Sequence, residues 1–210
     1  MALATYNDLL SSIAGWLNRE DLTAIIPDFI TLAERRLEDD LRVREIETTQ
    51  ELTATGSSFA AVSLPSDYLE ARAVVYTSST PTSRLTFQTP ANFYDTYNTQ
   101  TAGTPVNYTV VGSQMYFGPV PGSGNKVDLV YYAKPTALST SNQTNTYLDN
   151  FPDAYLHAAL LESAPYLGDD PRIQTWQFMY DRAKEGAVQA DERSKYNGAA
   201  LQIQVDVTNP

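Results

Sequence analysis

The sequence predicts an α+β protein: a helical bundle built from N- and C-terminal helices, a β-rich domain inserted between them, and an extended C-terminal tail. Three observations carry this. Composition changes twice along the chain: residues 51–150 hold 27 Ser and Thr and 10 charged side chains, whereas the other 110 residues hold 11 and 29. Charge-rich segments with one apolar face suit helices, and hydroxyl-rich stretches with Tyr and Val suit a pleated sheet. Apolar residues also recur every three or four positions in the flanks and alternate in the middle. Finally, Leu201, Ile203, Val205 and Val207 alternate at the C-terminus with no hairpin partner beside them. The expected boundaries are 1–50 for the first helices, 51–150 for the β domain, 151–197 for the last helices and 198–210 for the tail.

The first helix starts at Thr5, an N-cap type, with Asp8 placed near the positive helix end, and Leu9, Leu10, Ile13, Trp16 and Leu17 form its apolar face. A second begins near Pro27, whose ring suits a first turn, and runs through Phe29, Ile30, Ala33, Leu37 and Leu41. Its other face carries Glu34, Arg35, Glu38, Asp39 and Arg42.

Short strands with strong punctuation follow. They are expected at Phe59–Leu64, Leu69–Tyr76, around Leu85 and Phe87, at Val106–Val111 and Gln114–Phe117 with a turn at Gly112-Ser113, and at Lys126–Lys134. Thr89-Pro90 opens a short helix, and residues 136–150 read as a return loop. Helical spacing resumes at Pro152, Pro165 interrupts it, and a long helix runs from Pro171 to about Lys195. Along that helix Trp176, Tyr180, Ala183, Ala187 and Ala190 make a seam whose small residues let another helix approach closely.

The chemistry points away from an enzyme. There is no cysteine and one histidine, His157, so thiolate chemistry is excluded and any zinc or Ser-His mechanism rests on a single residue with no nucleophile signature nearby. No cofactor or metal motif is present. The acidic runs Glu38-Asp39-Asp40 and Asp169-Asp170 read as a solvated helix face and a helix start. Tyr94, Tyr97 and Tyr132 would serve an alternative reading, a β-rich binding module that stacks on a glycan or contacts another protein. The N-terminus lacks secretory features, and no stretch approaches the roughly 20 apolar residues that span a bilayer. With 14 Lys and Arg against 25 Asp and Glu, the net charge of −11 disfavours holding nucleic acid, because phosphate binding needs clustered cations.

Against that background, the pattern Tyr6-x-x-Leu9, Trp16-Leu17-Asn18-Arg19-x-Asp21-Leu22, Ile26-Pro27-x-Phe29-Ile30-x-Leu32-Ala33-Glu34-x-Arg36-Leu37 and Leu41-Arg42 resembles the head-to-tail adaptors of tailed double-stranded DNA bacteriophages. Leu64-Pro65-Ser66-Asp67-Tyr68-Leu69, Pro152-Asp153-Ala154-Tyr155 and Trp176 agree with it. The resemblance implies a ring, usually of twelve copies, that binds the portal protein above and a tail or nozzle protein below and lines the DNA exit channel. On that footing Leu201, Ile203, Val205 and Val207 are expected to dock on the portal. Trp176, Tyr180, Ala183 and Ala187 are expected to pack helices or neighbours. Glu34, Glu38, Asp39, Asp191 and Glu192 are the candidate acids facing the channel, where their charge would let DNA pass without being bound.

Overall fold

The structure is a computed structural model that describes residues 3–55, 58–168 and 170–195. Helices α1 (Tyr6–Leu17) and α2 (Ile26–Asp40) come first. The β region runs through β1 (Glu47–Thr53), β2 (Val62–Ser63), β3 (Tyr68–Tyr76), β4 (Ser83–Arg84), β5 (Thr86–Phe87), the short helix α3 (Pro90–Thr96), β6 (Asn107–Val111), β7 (Gln114–Gly118) and β8 (Lys126–Ala133). Then follow α4 (Thr146–Asn150), α5 (Pro152–Glu162), α6 (Ala164–Leu167) and α7 (Arg172–Lys195). The class is α+β. The described residues up to 43 and from 138 onward form one compact unit, and residues 44–137 form a second.

Both unit boundaries fall earlier than composition suggests. Residues 47–50 belong to β1, which pairs antiparallel with β8 from Glu47 opposite Tyr132 to Thr53 opposite Lys126. Only Leu52 is buried along that strand, so it carries no alternating apolar signal. At the other end, residues 138–150 belong with the helices: the Leu138 amide bonds to Glu34, the Tyr6 amide donates to the Gln143 carbonyl, and Tyr147 and Leu148 are buried.

In the helical unit, Thr5 and Asp8 cap α1 reciprocally, each side chain accepting from the other's backbone N–H. This answers two of the four donors that a helix start leaves without partners. Asn18 closes α1 in the left-handed region, at φ 50°. Helix α5 is buried over most of its surface, with Ala154, Tyr155, Leu156 and all residues from Ala158 to Leu161 in the core and Asp153, His157 and Glu162 keeping some exposure. A helix with apolar residues on most of its circumference must be largely enclosed, and α1, α2 and α7 each pack against it. Side chains such as Leu9, Ile13, Phe29 and Leu37 are almost wholly buried, each stabilising the unit by about 1.5–3 kcal/mol relative to exposure.

The β unit has two four-stranded sheets, ordered β1-β8-β3-β4 and β2-β7-β6-β5. The chain leaves the first at Arg84 and enters the second at Thr86, with buried Leu85 at the crossing. Val74, Tyr76, Val127 and Leu129 pack with Met115 and Phe117 in one core. Gly112, at φ +61°, turns the β6–β7 hairpin, a conformation glycine adopts without a Cβ clash. The strand expected at Phe59–Leu64 is instead a 3-10 turn over Ser58–Ala60 followed by the two-residue β2. Phe59 sits at φ 53° there, and its ring lies 5.6 Å from Phe93 and 5.4 Å from Tyr94, so aromatic packing overrides strand propensity.

Candidate functional site

The seam on α7 is used within the chain. Trp176, Tyr180 and Ala187 are buried and Ala183 is half-buried, while Ala190, the continuation of the spacing, is exposed. Tyr180 anchors α7 to α2 by donating to Asp40 Oδ2 at 2.6 Å. Arg36 and Lys184 both lie 5.8 Å from the centre of its ring, and Lys184 also pairs with Asp40 at 3.2 Å. Arg36 in turn pairs with Glu162 on α5 at 2.5 Å. Burial, and then the negative charge of Asp40, push the Tyr180 hydroxyl well above the usual tyrosine range, so it stays a donor. At the other end of α7, Arg172 is held by Asp170, donates to the Trp16 carbonyl at 3.1 Å, and lies 5.2 Å from the Trp176 ring centre. The sequence did not reveal this network. The usable signal was a tyrosine inside an Ala-rich seam, since a buried phenol needs a partner.

The five candidate channel acids separate into two groups. Glu34 is 7% exposed, and its Oε1 accepts from the Leu138 amide and the Tyr155 hydroxyl, each at 2.7 Å. Glu38, equally buried, pairs with Arg35 at 3.0 Å, and Arg42 donates to its carbonyl. Asp191 is buried beside Lys195, one turn further along α7. These three are held internally, Glu34 by neutral donors and Glu38 and Asp191 by basic side chains, which corrects the expectation that they present bare charge to a channel. Asp39 and Glu192 are exposed. The acidic excess nevertheless sits in the helical unit: residues 1–43 and 138–210 hold 18 Asp and Glu against 9 Lys and Arg, while residues 44–137 hold 7 against 5.

The remaining candidates are structural in their surroundings. His157 packs edge-on to Trp16 at 5.7 Å, and its Nδ1 lies 2.7 Å from the Asp153 carbonyl. Glu38, Asp39 and Asp40 point three different ways, inward, to solvent and to Tyr180, so they do not converge on one site. Among the described residues, no group of three or more His, Cys, Asp or Glu is placed to hold a metal ion, and no helix is long and apolar enough to cross a membrane. The three tyrosines do not make a stacking platform. Tyr132 is buried and Tyr97 is half-buried with its hydroxyl on Asn107 at 2.5 Å, which leaves Tyr94 as the exposed ring. Leu201, Ile203, Val205 and Val207 lie outside the described residues.

The decisive comparison concerns the whole pattern rather than one cluster. The SU10 adaptor protein family matches residues 4–203, nearly the entire chain and both units. The chain belongs to the SU10 adaptor family. This is a family of phage head-to-tail adaptors, so membership makes the protein a bacteriophage adaptor, a virion component that works through contacts with other phage head and tail proteins. No curated protein matches the adaptor at a significant level. The buried tyrosines bond to carboxylates within the helical unit, Tyr155 to Glu34 and Tyr180 to Asp40, and Glu34 also accepts from the Leu138 amide.

Proposed function

We propose that the adaptor assembles as a cyclic ring beneath the phage portal, of twelve copies as the resemblance implies, joining the portal to a tail or nozzle protein and surrounding the DNA exit path. The observation that carries this reading is the family match across residues 4–203. The tail segment Leu201–Val207 docks on the portal as an added strand, alternate side chains entering pockets and the backbone completing hydrogen bonds. Helices from both ends of the chain form the bundle that bears the load, held by the buried α5. DNA passes without specific binding: the helical unit has twice as many acidic as basic residues, so phosphates meet no counterion-releasing surface. Asp39 and Glu192 are the two of the five acids whose exposure suits that role.

The test pairs native mass spectrometry of the purified chain with complementation of adaptor-deficient phage. A closed ring and a chain lacking Ala199–Pro210 that folds but leaves filled heads unjoined to tails are the expected results. Normal joining by the truncated chain overturns tail docking, and a chain that stays monomeric both alone and on isolated portals overturns the ring.

A further inference from the structure

The outward faces of α2 and α7 each carry a large apolar side chain that the fold leaves open. Leu32 is 49% exposed and Phe178 63% exposed. On α2 the stripe runs Asp28, Leu32, Arg35, and on α7 it runs Phe178, Arg182, Glu185, at the four- and three-residue spacing that places residues on one helix face. Each stripe lies about half a helical turn from the side its helix buries, marked by Ile30 on α2 and Tyr180 on α7. Among the described residues, neither Asp28 nor Arg182 has an ion-pair partner.

Charge sets the direction in which the two stripes fit. With Leu32 set against Phe178 and the helices antiparallel, Asp28 lies four residues back along α2 and Arg182 four residues forward along α7. Both are then displaced by about 6 Å the same way, at 1.5 Å per residue, and the opposite charges meet. A parallel crossing would instead bring Arg35 beside Arg182, and like charges set together at an interface oppose association.

We propose that the Asp28–Leu32 stripe of one copy docks antiparallel on the Phe178–Arg182 stripe of the next copy. The contact joins two different faces, so each copy keeps one of each free, and repetition with a fixed rotation closes a ring. This rests on the ring reading and supplies its interface.

The chain has no cysteine, which gives a clean background for cross-linking. The experiment compares Leu32→Cys, Phe178→Cys and the double variant under mild oxidation, beside native mass spectrometry of the unmodified chain. A ladder extending beyond dimers in the double variant, absent from each single variant, is the expected result. Asp28→Arg or Arg182→Asp added to the double cysteine variant should abolish the ladder, and the two charge reversals together should restore it. A closed ring in the mass spectrum with no cross-link overturns this interface and leaves the ring reading standing. Dimers in a single variant show a two-fold face and overturn it too. Monomers throughout, both alone and on isolated portals, overturn both.

Discussion

Tyr155→Phe removes one oxygen from the centre of the helical unit, and its effect follows from the geometry. The hydroxyl donates to Glu34 Oε1 at 2.7 Å, and both side chains are buried. Hydrogen bonds to charged groups contribute about 1.5–3 kcal/mol, and the phenyl ring fills nearly the same space, so the loss of the bond should account for most of the change. For a chain of this size each kcal/mol moves the melting temperature by about 2–4 °C, giving a drop of about 3–12 °C. Glu34→Ala should cost more, about 3–5 kcal/mol, because it leaves the Tyr155 hydroxyl and the Leu138 amide without their acceptor. Urea unfolding followed by far-UV circular dichroism measures both. Hydrogen exchange at Leu138 supplies a local readout: faster in Glu34→Ala, nearly unchanged in Tyr155→Phe. A change below about 0.5 kcal/mol in Tyr155→Phe would refute the strength assigned to the Tyr155–Glu34 bond, and an unchanged Leu138 amide in Glu34→Ala would refute the claim that this carboxylate ties residue 138 to the helices.

Three further outcomes are expected. Gly118→Ala drives a Cβ into the Tyr97 ring, which its hydroxyl holds on Asn107, so the β unit should lose about 1–3 kcal/mol in chemical denaturation, and Tyr97→Ala in the same chain should recover part of it. Thr5→Ala removes the α1 capping box and should cost about 1 kcal/mol on the same measurement. Stability should fall as pH rises past about 10, the ordinary tyrosine value. Burial and neighbouring carboxylates raise Tyr155 and Tyr180, and burial with the Asp67 bond pushes Tyr131 up to about 12, so the folded chain keeps protons that the unfolded chain releases. That contribution is fully present below pH 10 and declines above it, and Tyr180→Phe should flatten the alkaline limb of a melting-temperature profile.

Local chemistry was legible wherever it acts within a few residues. Thr5 with Asp8, Pro27, Thr89-Pro90, Gly112-Ser113 and the start of α5 at Pro152 all stand where the sequence places them, because a cap, a ring-fixed φ or a tight turn needs only neighbours. Strand β1 was not legible, since its stability comes from pairing with β8 some 80 residues away while its side chains stay mostly exposed. The roles of the acids were half legible. Helical spacing sets Glu34 and Glu38 beside the apolar stripe of α2. Whether Glu34 turns inward depends on Tyr155 and Leu138, which approach from more than 100 residues further on. Spacing also revealed the α7 seam, but not that α5 already occupies it.

The pairing of β1 with β8 bears on how such a chain could have arisen. The β unit begins and ends on neighbouring antiparallel strands, Glu47 opposite Tyr132, so its two connections to the rest of the chain emerge side by side. Strands so paired are about 4.8 Å apart, a gap that a two-residue turn closes. A segment with adjoining ends can be gained, lost or exchanged in one recombination event without stretching its host. The helical unit, residues up to 43 and from 138 onward, could thus be joined across that narrow gap whichever β unit it carries.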